Sequence, residues 1–332
     1  MSKDIIIQTK ELTKFYGKSR GIENLSLDIF KGEIFGLLGP NGAGKTTTIR
    51  ILLDLIRRTS GEARIFNLDT QLDSVAIRQR TVYLPGELGL FQEKTARRNI
   101  EYLLGLYQND IPERRIDELA AVFGLELDRK VKELSKGNKQ KIGIILALAP
   151  EVELLILDEP TSGLDPLITA EFYNILHKQQ EETGSTVLLS SHLLNEVERV
   201  AHRVGIIREG TVVEVATIQQ LKSMAMKEIK VEFTSAQGLE EFSKQLPCEN
   251  LEKVIFNDTH ASFLVPREEL SKVLNLLSET DIVDTDITSP ALEDIFLKYY
   301  EVSSSQNTEI KKKRSGILNE TVYNKPERIY PF

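Results

Sequence analysis

The sequence has only one cysteine, Cys248, among its 332 residues. A single cysteine cannot form an internal disulfide, and it excludes a zinc site that is built from several cysteines. This scarcity is typical of proteins in a reducing cytoplasm. The sequence also lacks an apolar run near the ~20 residues that span a bilayer, and its start, MSKDIIIQTK, lacks the apolar stretch of a signal peptide. We therefore predict a chain that does not cross a membrane itself, although it can have a membrane-bound partner.

Basic residues are fewer than acidic ones. Lysine and arginine number 42 against 50 for aspartate and glutamate, so the formal net charge is −8. Proteins that bind nucleic acids usually present a basic face, so this balance argues against a general nucleic-acid binder. Hydrophobic residues make up 41% and charged residues 28%, which is the composition of a folded globular protein. The length suits one large domain or two ordinary ones.

The first predicted domain is an α/β unit over residues 1–222. Its short apolar runs end in polar or glycine-rich sequence, as parallel strands buried on both faces do. Residues from about 87 to 150 carry apolar residues at helical spacing, so we predict a helical subdomain inserted between two strands. The predicted strands are Glu33–Leu38, Glu153–Leu157, Thr186–Ser190 and Val204–Ile207.

The second predicted domain is a small α+β accessory domain over residues 223–301. Its segments follow the order β-α-β-β-α-β, which is the ferredoxin-like pattern. The remaining residues, 302–332, begin near a run of three serines and contain the basic run Lys311–Arg314. We predict that they form a flexible tail.

A glycine-rich string, GPNGAGKTT, begins at Gly39 and fits the phosphate-binding pattern GxxxxGK[ST]. A predicted strand precedes the string and a helical run follows it, which is the context that the pattern requires. Glycines let successive backbone N–H groups point at phosphate oxygens, and the helix N-terminus adds partial positive charge. We expect Lys45 to reach the β- and γ-phosphates and the Thr46 hydroxyl to bind Mg²⁺.

An apolar strand, LLILD, ends at Asp158 and is followed by Glu159. A strand that delivers a carboxylate at its C-terminal end is the second half of a P-loop nucleotide site. We expect Asp158 to hold Mg²⁺, directly or through water. Glu159 is then expected to lie where water attacks the γ-phosphate, as a general base or a polarising group.

Further motifs give the chain a clear resemblance to one family. Tyr16 stands in KFYG, Ser135 and Gly137 in LSKGNKQK, Asp165 in SGLD, and His192 in SSH. Together with GPNGAGKTT and LLILDEP, they follow the order found in the ATP-binding subunits of ABC transporters, and the first predicted domain resembles that family. In that family the aromatic residue at the position of Tyr16 stacks on adenine, LSKGNKQK corresponds to the signature, SGLD to the D-loop, and His192 to the switch histidine. GPNGAGKTT corresponds to Walker A and LLILDEP to Walker B.

The resemblance implies an ATPase of the P-loop class that uses ATP and Mg²⁺ and works as a head-to-tail pair of subunits. Each signature would contact the γ-phosphate bound by the other subunit, and closing on ATP would drive partner domains in the membrane. The residues so assigned are Glu159, His192 and Lys45 for catalysis; Tyr16, Gly39, Pro40, Asn41, Gly42, Ala43, Gly44, Lys45, Thr46 and Thr47 for ATP; Thr46 and Asp158 for the metal; Ser135 and Gly137 for the ATP of the other subunit; and Asp165 for the D-loop.

The sequence departs from the family pattern at two places. The glutamine that usually senses Mg²⁺ and the membrane partner is replaced by Gly86, and Glu87 beside it is a candidate substitute. In the signature, Lys136 and Asn138 stand where the family most often has Gly and Gln. Because Ser135 and Gly137 are both retained, we still expect a competent signature.

The expected partners are a separate transmembrane permease subunit and a second ATP-binding subunit, with no nucleic acid. A homodimer is favoured because both halves of the ATP site look intact, and the expected location is the cytoplasmic side of the membrane as a peripheral subunit. The string ALEDIFLKYY, at residues 291–300, is typical of ABC-2 type exporters, and it suggests export of a drug, peptide or lipid-like substrate. The alternative is a soluble ABC ATPase that acts on ribosomes or DNA, but such relatives usually carry two ATPase domains or long coiled coils.

Overall fold

The computed structural model describes residues 4–107, 111–224, 226–246 and 251–288. Two earlier predictions, for the tail at 302–332 and for the string at 291–300, lie outside the described residues. The strands are β1 (Ile5–Tyr16), β2 (Ser19–Phe30), β3 (Ile34–Leu38), β4 (Ser60–Ile65), β5 (Leu68–Asp69), β6 (Thr81–Leu84), β7 (Leu154–Asp158), β8 (Thr186–Ser191), β9 (Arg203–Arg208), β10 (Thr211–Thr217), β11 (Lys227–Phe233), β12 (Glu252–Asn257), β13 (His260–Val265) and β14 (Ile282–Thr288).

The helices alternate with these strands in the α/β part and flank them in the C-terminal part. They are α1 (Lys45–Leu52), α2 (Ser74–Gln79), α3 (Ala96–Leu104), α4 (Glu113–Phe123), α5 (Lys136–Leu148), α6 (Pro166–Thr183), α7 (Leu194–Val200), α8 (Ile218–Met224), α9 (Ala236–Gln245) and α10 (Leu270–Ser278), with a 3₁₀ helix at Val131–Glu133. In the described ranges, no helix combines the length and the apolar character that crossing a membrane demands. The chain separates into two compact units between Ser223 and Met224.

The first unit is built on a six-stranded sheet in the order β10-β9-β3-β8-β7-β6, which is parallel except for β10 at one edge. Every residue of β3, β7 and β8 is buried. Alternate side chains of these strands enter two different apolar clusters, because successive residues of a strand point to opposite faces. Each fully buried aliphatic side chain contributes about 1.5–3 kcal/mol. This double burial fixes the strand ends from which the site loops emerge.

A second sheet in this unit, in the order β2-β1-β4-β5, is antiparallel and was not among the sequence predictions. Strands β1 and β2 span 12 residues each, but their pairing shifts register at several points. Each shift moves the apolar positions to the other side of the strand, so the period-2 pattern is broken along the sequence. The buried side chains of this sheet pack in the cluster that also contains Ile49 of α1.

The predicted helical insertion contains α3, α4 and α5. Helix α5 begins at Lys136, directly after Ser135, whose hydroxyl accepts a hydrogen bond from the Asn138 N–H at 3.2 Å. Helix α3 likewise begins after a capping residue, at Ala96, because Thr95 accepts a hydrogen bond from the Arg98 N–H. Both caps satisfy a backbone N–H group in the first turn of the helix.

The second unit has the element order β11-α9-β12-β13-α10-β14, and its antiparallel sheet has the order β12-β13-β11-β14. Its core includes Phe233, Phe242 and Phe263, whose rings are in mutual contact with centroid distances of 5.1 and 6.0 Å. Helices α9 and α10 contribute Leu239 and Val273 to the same cluster. The unit therefore has its own hydrophobic core.

Candidate functional site

The loop between β3 and α1 carries the glycine-rich string. Gly44 has φ = 110° and occupies the position before the first residue of α1. A side chain there would be strained by this backbone conformation, and its Cβ would lie 2.7 Å from Ile22 Cγ2. The turn therefore requires glycine, and it points the first N–H groups of α1 into the loop, where an anion can bind.

Lys45 is the first residue of α1 and only 5% of its surface is exposed. Its Nζ donates hydrogen bonds to the Gly39 carbonyl oxygen at 2.6 Å and to the Pro40 carbonyl oxygen at 3.2 Å. The same Nζ lies 3.1 Å from Glu159 Oε1. The loop thus wraps around the ammonium group and presents a buried, fixed positive charge to whatever binds there.

Glu159 follows β7 and joins Lys45 to His192. His192 Nδ1 lies 2.7 Å from Glu159 Oε2, so the glutamate contacts the ammonium with one oxygen and the imidazole with the other. Glu159 has φ = 49°, a left-handed conformation that costs a residue with a side chain of order 1–3 kcal/mol. The three residues predicted to act in catalysis are therefore in direct contact, and the one between them is held in a strained conformation.

Asp158, the last residue of β7, is 2% exposed. The Ser190 hydroxyl on β8 donates to Asp158 Oδ1 at 2.6 Å and accepts a hydrogen bond from the Glu159 N–H at 3.1 Å. Sequence reasoning missed the role of Ser190, since only His192 of the SSH string was assigned a function and Ser190 was taken as the end of a buried strand. Strand pairing is the signal that could have found it, because the parallel sheet sets Ser190 beside Asp158.

The residues expected to hold Mg²⁺ have the right chemistry. Asp158 offers a buried carboxylate oriented by a hydrogen bond, and Thr46 offers a hydroxyl in the first turn of α1. Mg²⁺ prefers such hard oxygen ligands and usually takes its others from substrate phosphates and water. The donor set therefore fits Mg²⁺.

The signature string lies at the start of α5, where Ser135 caps the helix and is exposed. Gly137 lies so close to Gly163 that a Cβ on Gly137 would be 2.7 Å from the Gly163 carbonyl oxygen. The buried Gln140 donates from Nε2 to the Pro160 carbonyl oxygen at 2.7 Å. Two contacts thus fasten α5 to the segment that follows Glu159.

The remaining predicted residues lie at the rim of the site. Asp165 caps α6, because its Oδ1 accepts from the Ile168 N–H at 2.9 Å. Tyr16 ends β1 with 48% of its surface exposed, and Lys14 Nζ lies 5.2 Å from the centre of its ring. This exposed aromatic face is available for stacking on a planar ligand.

The segment after β6 lies against Asp158. A Cβ built on Gly86 would be 3.4 Å from the Asp158 carbonyl oxygen, and Glu87 is exposed. Burial and the Asp158 carboxylate raise the pKa of Tyr83, which precedes this segment on β6. The chain at the position of the missing glutamine therefore approaches the acidic end of β7 through its backbone.

Comparison with known proteins identifies the family to which the chain is similar. The family model described as "ABC transporter" matches residues 22–162. The bacitracin transport ATP-binding protein BcrA of Bacillus licheniformis is 38% identical over 234 residues, which cover 69% of this chain and 75% of that protein. The linearmycin resistance ATP-binding protein LnrL of Bacillus subtilis (strain 168) is 30% identical over 303 residues, covering 88% of this chain and 97% of that protein.

A solved structure described as a dimeric post-hydrolysis state of the ATP-binding cassette MJ0796 with ADP and Pi has a TM-score of 0.59 and 27% identity. The match covers 64% of this chain and 99% of that one. Fold and site together define a P-loop ATPase of the ATP-binding-cassette class, as the sequence predicted. The chain belongs to the ABC transporter family, among its ATP-binding proteins.

Proposed function

We propose that this chain binds and hydrolyses ATP through the residues described above and, as one of a pair of ATP-binding subunits, energises a membrane exporter. The observation that carries the proposal is the chain of contacts from Lys45 through Glu159 to His192, at 3.1 and 2.7 Å. These are the groups that phosphoryl transfer to water needs: a cation at the phosphates, a carboxylate for the water, and a group that orients the carboxylate.

The Lys45–Glu159 ion pair explains how ATP prepares the site. The negative phosphates attract the Lys45 ammonium and repel the Glu159 carboxylate, so the ion pair opens when ATP enters the loop. Glu159 is then released to polarise a water molecule or accept its proton, and its contact with His192 keeps it aimed. Lys45 thus keeps Glu159 in an ion pair until ATP binds.

Thr46 and Asp158 are the residues that would hold Mg²⁺. When bound, the ion supplies positive charge that neutralises the β- and γ-phosphate oxygens. The protein itself holds the Asp158 carboxylate in place through a hydrogen bond of 2.6 Å from the Ser190 hydroxyl. Tyr16 supplies the exposed ring on which we infer that the adenine stacks.

The second subunit is needed because the signature lies on an exposed helix start. Ser135 is exposed, and the first-turn N–H groups of the 13-residue helix α5 form an anion site there. We infer that this site binds the γ-phosphate in the other subunit, while the D-loop at Asp165 passes between the two sites. Since one chain carries both half-sites, two identical copies suffice for the pair.

The permease partner is expected at an apolar groove of about 660 Å³ in the first unit. Leu55, Val75 and Leu106 line it and are more than half exposed, and such a cluster of exposed apolar side chains is typical of an interaction site. Pro85 lines the same groove, one residue before the backbone that approaches Asp158. A permease helix seated here would press on the segment that lies against the backbone of Asp158, the proposed metal ligand, so ATP binding and partner movement would be coupled.

Export is supported by the relatives. One is named for bacitracin transport and another for linearmycin resistance, and both names concern antibiotics. Transport of one antibiotic and resistance to another both fit a pump that removes such compounds from the cell. We therefore propose a peptide-like, drug-like or lipid-like substrate, and a location on the cytoplasmic side of the membrane as a peripheral subunit.

The test is ATP hydrolysis and dimerisation of purified Glu159→Gln protein, compared with wild type and Lys45→Ala. We expect Glu159→Gln to lower kcat at least ~100-fold, the low end of what a positioned general base supplies. It should still bind ATP and sediment as a dimer with ATP and Mg²⁺. Lys45→Ala should lose ATP binding, because the buried cation of the loop is gone.

Glu181→Gln is the matched control, since it removes a carboxylate from the exposed face of α6, where it pairs with His177 at 3.5 Å. It should hydrolyse ATP at the wild-type rate. Undiminished turnover in Glu159→Gln would remove Glu159 from its proposed role. A dimer that forms equally well without ATP would contradict the nucleotide-driven closure.

A further inference from the structure

The Glu196 carboxylate, in the first turn of α7, accepts three hydrogen bonds from hydroxyl groups. Thr161 Oγ1 donates to Oε1 at 2.8 Å, while Ser191 Oγ at 2.8 Å and the Tyr173 hydroxyl at 3.2 Å donate to Oε2. All three donor residues are buried. The Glu196 carboxylate is itself only half-buried, but three buried hydroxyl donors make it a well-defined junction, because hydrogen bonds to charged groups are roughly twice as strong as neutral ones.

This junction joins the two chain segments that carry the proposed catalytic pair. Thr161 follows Glu159 by two residues, and Ser191 directly precedes His192. Ser191 Oγ also accepts the Leu193 N–H at 3.0 Å and so closes the turn around the histidine. One carboxylate therefore links the Glu159 segment to the His192 turn, beside the place where these two side chains meet.

The interaction energies indicate that the hydrogen bonds to Glu196, rather than the His192–Glu159 contact itself, determine how His192 and Glu159 are positioned. The His192 ring is 41% exposed, and an exposed charged contact contributes about 0.2–1 kcal/mol. Each hydrogen bond from a buried hydroxyl to the half-buried Glu196 carboxylate contributes up to about 1.5–3 kcal/mol. The His192–Glu159 contact is thus the weaker interaction, and it forms because the stronger junction brings its two ends together.

The surroundings of the junction fit such a role. A cavity of about 630 Å³ adjoins His192, Leu193 and Glu196, so the turn has room to move once the junction is cut. Burial and the neighbouring Glu196 carboxylate raise the pKa of the Tyr173 hydroxyl, which therefore stays protonated and remains a donor.

We propose that Glu196 is a positioning residue for ATP hydrolysis, acting through Thr161, Tyr173 and Ser191 to hold His192 against Glu159. The proposal rests on the proposed function, since it concerns the same reaction. The three residues that donate hydrogen bonds to Glu196 all lie outside the phosphate loop, so we expect its removal to lower kcat and to leave the binding of ATP unchanged.

The test is steady-state ATPase kinetics of Glu196→Ala, alone and combined with His192→Ala. We expect Glu196→Ala to lower kcat about 10–100-fold, the range typical of groups that orient a reacting residue, with KM for ATP within about twofold of wild type. In the His192→Ala background the Glu196 substitution should cause no further loss, because the group that it positions is absent. Glu181→Gln serves as the charge-matched control and should leave kcat unchanged.

Tyr173→Phe provides a second variant that keeps the ring and removes only one of the three donors. We expect it to lower kcat severalfold with unchanged KM, and it tests the proposal even where Glu196→Ala fails to fold. Unchanged kcat in the folded variants, or losses that multiply in the double variant, would overturn the proposal. Wild-type protein without Mg²⁺-dependent ATPase activity would instead overturn the proposed function itself.

Discussion

Replacing Ser190 by alanine removes the hydroxyl that holds the buried Asp158 carboxylate. The hydrogen bond from Ser190 Oγ to Asp158 Oδ1 is 2.6 Å long, which is short and charge-assisted. The same hydroxyl accepts from the Glu159 N–H, but that N–H also donates to the Ser190 carbonyl oxygen at 3.2 Å and keeps this partner in the variant. The variant therefore isolates the loss at Asp158.

The loss of stability in Ser190→Ala depends on how deeply the Asp158 carboxylate is buried. Asp158 is 2% exposed, so water cannot readily replace the lost donor. A hydrogen bond to a charged group contributes about 1.5–3 kcal/mol, which for a unit of this size lowers the unfolding midpoint by roughly 3–12 °C. Losing the orienting partner of a metal ligand typically weakens metal affinity about 10–100-fold.

The assay is a Mg²⁺ titration of ATP hydrolysis by Ser190→Ala at saturating ATP, with thermal unfolding of the free protein measured alongside. We expect half-saturation to move to at least about tenfold higher Mg²⁺. Ser60→Ala, which changes an exposed serine on β4, is the matched control. A Ser190→Ala protein with wild-type Mg²⁺ dependence and an unchanged unfolding midpoint would refute the assignment of Asp158 as a metal ligand fixed by Ser190.

Two further predictions concern the loops around the site. Gly137→Ala places a Cβ 2.7 Å from the Gly163 carbonyl oxygen, so the start of α5 and the loop at Gly163 must separate. We expect a destabilisation of about 1–3 kcal/mol by thermal unfolding and loss of ATP-dependent dimerisation by sedimentation. Wild-type dimerisation would contradict this. Asp165→Ala removes the cap of α6 and should lower the free energy of unfolding by about 1 kcal/mol. Asp165→Asn can still accept the hydrogen bond from the Ile168 N–H, so it should cost only a fraction of that. Equal losses of stability in both variants would show that capping is not the cause.

The sequence predicted the parts of the site that local chemistry determines. A glycine at φ = 110° before a lysine that opens a helix is a local requirement, so the phosphate loop around Gly44 and Lys45 was readable from its pattern. The pair Asp158 and Glu159 was readable for the same reason, since both carboxylates follow an apolar strand directly.

The parts that depend on long-range pairing could not be predicted. Ser190 acquires its role only through the register of β8 against β7, which sets it beside Asp158. Glu196 acquires its three donors from separate segments of the chain, so no local sequence pattern indicates its role. The antiparallel sheet of β1, β2 and β4 was missed because register shifts interrupt its alternation.

The proposed function requires that the ATPase works on a membrane partner. The most direct measurement is affinity capture of tagged Glu159→Gln protein from detergent-solubilised membranes with ATP and Mg²⁺, followed by mass spectrometry. The same capture is repeated with Leu106→Glu added, which puts a charge into the apolar groove, and with Val122→Glu, which alters an exposed apolar residue on α4. We predict a stoichiometric polytopic membrane protein that is lost with Leu106→Glu and retained with Val122→Glu. Capture of ribosomal or DNA-associated proteins instead, or of a dimer alone, would contradict the account.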